Sequence, residues 1–348
     1  MSRTQRLTQP EQFGNYQLIA RLSAGRLGQV YKAKSIGVEG FERVLVIKTI
    51  DKSLAAIPGF VDIIAEEAQR AVLLSHANVV QVLNLGQEEL SQQPFLTMEF
   101  VHGMDLHRAL KVCRVLEQPW PLELAIYVIA EVANGLDYAH RRKDYEFNKL
   151  NIMHYDVAPF NIMLSTEGEA KLSDFGLAKA LTLAPVTSDD DTLRKLMYQA
   201  PEVARGEAYT QRSDLYSLGM VFYELLAGHH PYKHAASSTQ HFIQLAKQGA
   251  VPPLHNRASL PRPLVQLVES MLVPDPNGRI SSAGQAYEEL VGFIYGNNLQ
   301  RADARALGLF IQNLRTKEGD LFPEQSIQEA GIDEISLSEL QVPENLLS

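Results

Sequence analysis

The 348-residue sequence has one cysteine, Cys113. That excludes an intrachain disulfide and fits a reducing compartment. One cysteine and dispersed histidines form no ligand cluster of the usual zinc spacing. No apolar run approaches the ~20 residues that span a bilayer. The richest stretch, 218–226, is broken by Gly219 and Glu224 and reads as a buried core helix. The first residues, Met1-Ser2-Arg3-Thr4-Gln5-Arg6, lack the apolar core of a signal peptide. Positive charge is not in excess. The formal net charge is −9 and the isoelectric point about 5.6, which argues against a general nucleic-acid-binding surface. No G-x-x-x-x-G-K-[ST] string occurs, so a P-loop nucleotide site is excluded. There is no internal repeat and no low-complexity segment. The expectation is a cytoplasmic protein without membrane or nucleic-acid partners.

What is present is a globular composition, with 45% hydrophobic and 21% charged residues. Residues 1–15 are polar and aperiodic and read as a flexible lead-in. Residues 16–48 read as strands: Tyr16, Leu18 and Ala20 alternate with polar positions, Val30 and Tyr31 follow a glycine-bearing turn, and Val44–Ile47 is a β-branched run ending at Lys48. From 58 to 75 the spacing becomes helical, with Ile63, Ile64, Ala68, Ala71, Val72 and Leu74 on one stripe. Strand-like runs follow at Val79–Leu85 and Phe95–Phe100. The remainder is mainly helical, most clearly at Leu122–His140 and Asp214–Ala227. A strand-rich start followed by a helix-rich remainder predicts an α+β, two-lobed architecture joined near residues 99–104. Leu307, Phe310, Ile311 and Leu314 share one helical face and predict a helix docked on the larger lobe; residues 317–348 are acidic and weakly periodic.

Two strings carry chemistry: His154-Tyr155-Asp156-Val157-Ala158-Pro159-Phe160-Asn161, and Asp174-Phe175-Gly176 beyond a short apolar segment, Ala170-Lys171-Leu172. Taken singly, the other candidates are bland. The turn Ser23-Ala24-Gly25-Arg26-Leu27-Gly28 reads as a hairpin, and Lys48 and Glu67 as solvated charges. A D-x-x-x-x-N string is common by chance; one preceded by His and followed by D-F-G is not. In this order the motifs resemble the eukaryotic-type (Hanks-type) protein kinase family over about residues 16–297, in its bacterial serine/threonine branch. The domains expected are then a lead-in at 1–15, a kinase domain at 16–297 (lobes at about 16–100 and 104–297), and a C-terminal helix with an acidic tail at 298–348.

The resemblance implies roles. Asp156 would be the catalytic base, and Lys48 would contact the ATP phosphates while paired with Glu67, Glu66 being the fallback. Asn161 and Asp174 would hold Mg²⁺. Leu22, Gly25, Gly28, Val30, Lys48, Met98, Glu99, Val101 and Met163 would bind the nucleotide, with Met98 at the back of the pocket and the Glu99–Val101 backbone on the adenine edge. The partners implied are ATP and proteins bearing serine or threonine hydroxyls, the chain itself included through Thr182, Thr187, Ser188 and Thr192. Glu202 of Ala200-Pro201-Glu202 should meet Arg279, and Asp214 should anchor the catalytic loop. Four departures stand out. Ser23 replaces a loop glycine, and Val46 an alanine above the adenine. Tyr155 stands where the family has an arginine that meets a phosphate, and Ala158 replaces a lysine that steadies the transferred group, with Lys195 as a candidate substitute. These motivate the alternative of a pseudokinase, a nucleotide-binding scaffold. None removes a metal ligand or the base. A small-molecule kinase is a third class, against which Ala200-Pro201-Glu202 speaks.

Overall fold

The computed structural model describes residues 5–36, 42–185, 189–254, 260–297, 299 and 303–321. The first six strands form one antiparallel sheet: β1 (Gln5–Phe13), β2 (Tyr16–Ala24), β3 (Gln29–Ile36), β4 (Glu42–Thr49), β5 (Val82–Gln87) and β6 (Pro94–Glu99), in the order β1-β2-β3-β4-β6-β5. Side chains alternate across a strand. In β4 this puts Leu45 and Ile47 into a small core with Leu18, Ala33 and Phe95. Val46 joins the main core on the opposite face, and Lys48, two residues on, follows it.

A short helix α1 (Lys52–Ala55) leads into α2 (Phe60–Val72). The buried residues of α2 are Phe60, Ile64, Glu67, Ala68 and Ala71. Glu67 thus lies inside the apolar stripe, where a carboxylate needs partners.

The second lobe opens with β7 (Gly103–Asp105), α3 (Leu106–Val115) and α4 (Leu122–His140). β8 (Ile162–Ser165) and β9 (Ala170–Leu172) complete a three-stranded sheet in the order β7-β8-β9. The helices α5 (Leu177–Ala180), α6 (Asp189–Leu196), α7 (Pro201–Ala204), α8 (Gln211–Ala227), α9 (Thr239–Gln248), α10 (Arg262–Met271) and α11 (Ala283–Gly296) follow. α8 is buried on nearly every face, its polar Ser213, Asp214, Ser217 and Glu224 included. It packs on α4 and α10, and α4 packs on α11. α12 (Ala304–Leu321) closes the chain. No described helix is long and apolar enough to cross a membrane.

Two expectations need correction. Residues 5–13, read as part of a flexible lead-in, form β1; residues 1–4 lie outside the described residues. The segment is too polar to show a period, yet as an edge strand it needs only one ladder and tolerates Pro10 near its register shift. Phe13 anchors it edge-on against Phe95, ring centroids 5.1 Å apart. Residues 317–321, read as the start of an acidic tail, are the last turn of α12; residues 322–348 lie outside the described residues.

Candidate functional site

Between the lobes lies a cleft of about 830 Å³. Leu22, Gly25, Val30, Lys48, Met98, Glu99, Val101, Met163, Asp156, Asn161 and Asp174 all line it. Segments distant in sequence are thus brought together as the motif order implied. Met98 and Val46 are buried at its inner side. The Glu99 carboxylate accepts from Lys171 Nζ of β9 (3.1 and 3.2 Å) and from the Gln81 backbone N–H (2.9 Å), which fixes the connection between the lobes.

Gly28 stands just outside the lining of the cleft, beside Gly25, Arg26 and Leu27, which line it. The turn closes through Gly25 N–H to Gly28 O (2.8 Å) and Gly28 N–H to Gly25 O (3.2 Å). A Cβ on Gly28 would stand 2.1 Å from Thr49 O. The close approach of β4 by itself requires glycine here.

The loop from His154 to Asn161 hangs on Asp214, which is fully buried. One of its oxygens accepts from the His154 backbone N–H (3.0 Å) and lies 2.8 Å from His140 Nε2. The other accepts from the Tyr155 backbone N–H (3.2 Å) and the Tyr209 hydroxyl. Burial pushes this carboxyl upward, but the His140 bond and the neighbouring donors outweigh it and hold it below the ordinary carboxylate range. Tyr155 adopts φ 70°, a left-handed conformation, and its ring lies 4.5 Å from that of Tyr209. Where the family has a phosphate-binding guanidinium, this chain has an aromatic pair.

His154 is buried and kept neutral chiefly by desolvation. Its Nδ1 accepts from the Asp156 N–H (3.2 Å), so Nε2 carries the proton and donates to Ser173 O (2.8 Å). Its ring meets Phe175 edge-on at 4.6 Å. These contacts join the loop to the Asp174-Phe175-Gly176 turn. Asn161 Nδ2 donates to Asp156 O (2.8 Å) and Asp156 Oδ2 (3.0 Å), aiming an otherwise exposed carboxylate.

A divalent cation fits these residues. Asp174 Oδ2 meets Lys48 Nζ at 2.7 Å, while Asp174 Oδ1 is buried with no hydrogen-bond partner. An orphaned buried carboxylate oxygen in a cleft is costly unless a ligand satisfies it. Asn161 spends its N–H₂ on Asp156, which leaves its carbonyl oxygen as a donor atom. One carboxylate and one amide, completed by phosphate oxygens, is a typical Mg²⁺ set.

The expected Lys48–Glu67 pair is not formed, and neither is one with Glu66. Lys48 pairs with Asp174. Glu67 accepts from Lys179 Nζ (2.7 Å) and Arg70 Nη1 (2.8 Å), and Glu66 also accepts from Arg70, at 2.5 Å. The reason is α5, which packs on α2 directly after Gly176. Gly176 has φ 74°, which favours glycine, and a Cβ there would stand 2.6 Å from Glu67 Oε2, so any side chain would have to displace that carboxylate. Lys179 is then the nearer cation for the carboxylate. Its own pKa is pressed down by burial and raised more by Glu67, leaving a net rise. Lys179 lies five residues past Asp174 in the four-residue α5, and its spacing alone does not mark it as the partner of Glu67.

Ala158 is buried, and Lys195 of α6 lines the same cleft as Asp156. Arg315, Glu318 and Gly319 of α12 line it too; the apolar periodicity of α12 gave no hint of that. Glu202 and Arg279 pair as expected, through bonds of 2.7 and 2.6 Å.

Comparison with known proteins fits this geometry. The family model for the protein kinase domain matches residues 16–291. The tyrosine-protein kinase MasK of Myxococcus xanthus is 31% identical over 307 residues, covering 88% of this chain and 46% of that protein. The serine/threonine-protein kinase PknB of Mycobacterium leprae is 30% identical over 287 residues, covering 82% and 44%. The chain therefore spans less than half the length of these curated relatives. The solved PknI kinase domain of Mycobacterium tuberculosis shares the fold, with a TM-score of 0.62 at 23% identity, covering 82% of this chain and 98% of that one.

Proposed function

Because the chain belongs to the protein kinase domain family, we propose that it transfers the γ-phosphoryl group of ATP to serine and threonine hydroxyls of proteins, itself among them. The observation that carries this is the single cleft in which Lys48, Asp156, Asn161 and Asp174 converge, with Asp174 Oδ1 left unsatisfied.

The adenine would lie between Val30 and Val46 above and Met163 below, against Met98 and the Glu99–Val101 backbone. Asn161 and Asp174 would hold Mg²⁺, whose charge would neutralise the phosphate oxygens as the group moves. Asp156, aimed by Asn161, would take the hydroxyl proton as the oxygen attacks the γ-phosphorus and the bond to the ADP oxygen breaks. Lys195 stands in the cleft as the cation that Ala158 cannot supply. The Tyr155–Tyr209 pair offers no site for an activation-loop phosphate, so turnover should not require one at that position.

For transfer, Glu67 would exchange Lys179 for Lys48, freeing Asp174 for metal. Glu67 is the element that switches, and α5 the element that holds it. Lys179 is about one-third exposed, so its hold is modest, of the order of 1 kcal/mol or less. Lys179→Ala is therefore expected to raise the initial rate roughly two- to fivefold. Steady-state kinetics on unphosphorylated protein checks it, and an unchanged or lower rate would show that Lys179 does not restrain the enzyme.

The function is tested by incubating purified protein with γ-labelled ATP, Mg²⁺ and a basic acceptor protein, then hydrolysing the product to its phosphoamino acids. Phosphoserine and phosphothreonine are expected. Phosphotyrosine alone would move the specificity toward that named for MasK. Nucleotide binding without any transfer would identify a pseudokinase.

A further inference from the structure

The cleft has a wall that the kinase domain match, ending at residue 291, does not include. That wall is α12. Leu307, Ile311 and Leu314 bury one face of it completely, and Phe310 meets Trp120 edge-on at 5.0 Å. A Cβ on Gly168 would stand 1.7 Å from Ala304 O, and one on Gly308 would stand 2.7 Å from Thr166 O. The helix and the turn after β8 therefore touch backbone to backbone, and the helix is seated in one position.

Its polar stripe grips the connection between the lobes. Gln312 Nε2 donates to Thr166 O (3.0 Å). Arg315 donates to His102 Nε2 (3.0 Å), and His102 Nδ1 lies 3.1 Å from the Thr166 hydroxyl. One turn further on, Glu318 takes both arms of Arg108, at 2.9 and 2.8 Å. Arg108 also donates its backbone N–H to Asp105 Oδ1 (2.9 Å) as the cap of α3. Asp105 is the first carboxylate past the lobe connection and lines the cleft. Burial, more than any neighbour, lifts its carboxyl to about 6.

Two carboxylates, Glu318 and Asp105, act on the Arg108 charge, and its guanidinium lies on the one from α12. A bidentate fork fixes the guanidinium plane as well as its charge. Asp105 therefore keeps an acceptor oxygen for the cleft, where a ribose diol next to the base would donate to it.

We propose that Glu318 is a positioning residue for nucleotide recognition. It holds Arg108 away from Asp105, so that sugar selectivity depends on the C-terminal helix. This rests on the ATP-binding reading above. Without Glu318 the guanidinium would turn onto Asp105 and occupy the acceptor.

The experiment measures affinity of the full chain for ATP, 2′-deoxy-ATP and 3′-deoxy-ATP with Mg²⁺, together with KM and kcat. Wild type should prefer ATP over at least one deoxy analogue by about tenfold. Glu318→Gln should lose most of that preference through a higher KM for ATP, with kcat little changed. Adding Arg108→Met to Glu318→Gln removes the intruding guanidinium and should restore the preference. A purely structural role for α12 would weaken all three nucleotides alike, and that result would overturn the proposal. So would a wild type indifferent to the sugar hydroxyls, or a double variant that behaves like Glu318→Gln. Failure of wild type to bind any nucleotide would instead overturn the functional reading, and this one with it.

Discussion

Replacing Asp156 with asparagine is expected to lower phosphoryl transfer by roughly 10²–10⁴-fold, the usual worth of a positioned general base, while leaving affinity for Mg²⁺ and ATP near the wild-type value. The split follows from what the side chain touches. Its one described partner is the Asn161 amide, and an asparagine oxygen can accept that same bond from Nδ2. The loop backbone is held independently by Asp214 through the His154 and Tyr155 N–H groups. The substitution should therefore remove proton acceptance without moving the loop or the residues assigned to the metal. Initial rates with γ-labelled ATP, beside a binding titration on the same preparations, check both halves. A variant that retains most of the wild-type rate would remove Asp156 from the role of base. A variant that loses nucleotide binding as well would mean that the carboxylate helps hold the metal.

Where local pattern and chain geometry coincide, the site was legible in the sequence. The β-branched run ending at Lys48 reads as a strand, whose successive side chains point to opposite faces, so Val46 and Lys48 must face away from Leu45 and Ile47, and they do. The dense string from His154 to Asn161 holds its roles within one loop, so its internal bonds need only local geometry. Glu67 was picked out only by the resemblance, because taken alone it reads as a solvated charge, whereas it is buried in α2. What could not be read was which cation it meets. Lys48, Arg70 and Lys179 are all within the reach of some packing of the lobes, and nothing in the spacing ranks them. The ranking is made by α5, only four residues long. So short a helix has no stability of its own, because nucleation is costly, and it exists only against α2. The backbone constraint on Gly28 was hidden for a related reason, since a glycine required by a neighbouring backbone looks the same in sequence as one required by a phosphate. In α12 the apolar period declared a helix and its buried face. The partners of its polar stripe, His102 and Arg108, lie about two hundred residues away and have no signature near it.

The largest effect on stability is expected at Arg279. Its side chain is wholly buried against a Glu202 side chain only 2% exposed. All of its donors are used: Nη1 and Nη2 reach Glu202 Oε1 and Oε2, and the remaining N–H groups reach the carbonyls of Val273 (2.7 Å), Arg212 (2.9 Å) and Pro274 (3.0 Å). The guanidinium also lies over the Tyr216 ring at 4.9 Å. Arg279→Met fills much of the space but leaves Glu202 with Ser213 as its remaining side-chain donor. Breaking a buried pair from one side costs about 3–5 kcal/mol, a large part of a domain's stability. The pH dependence separates this cause from simple loss of packing. In the wild type, burial raises the Glu202 carboxyl, but the Arg279 bonds lower it more, and it titrates below its ordinary value. Its contribution is then complete above the unfolded-state pKa and is lost as pH falls through the folded one. In the variant, desolvation is the dominant influence left, so the carboxyl should titrate above its ordinary value. Its folded form then favours the proton, and stability should decline as pH rises through the unfolded-state and then the variant's folded pKa. Denaturant melts of both proteins between about pH 4 and 8 should thus show the deficit of Arg279→Met growing with pH. A deficit that stays constant across that range would assign the loss to packing and carbonyl contacts rather than to the stranded carboxylate.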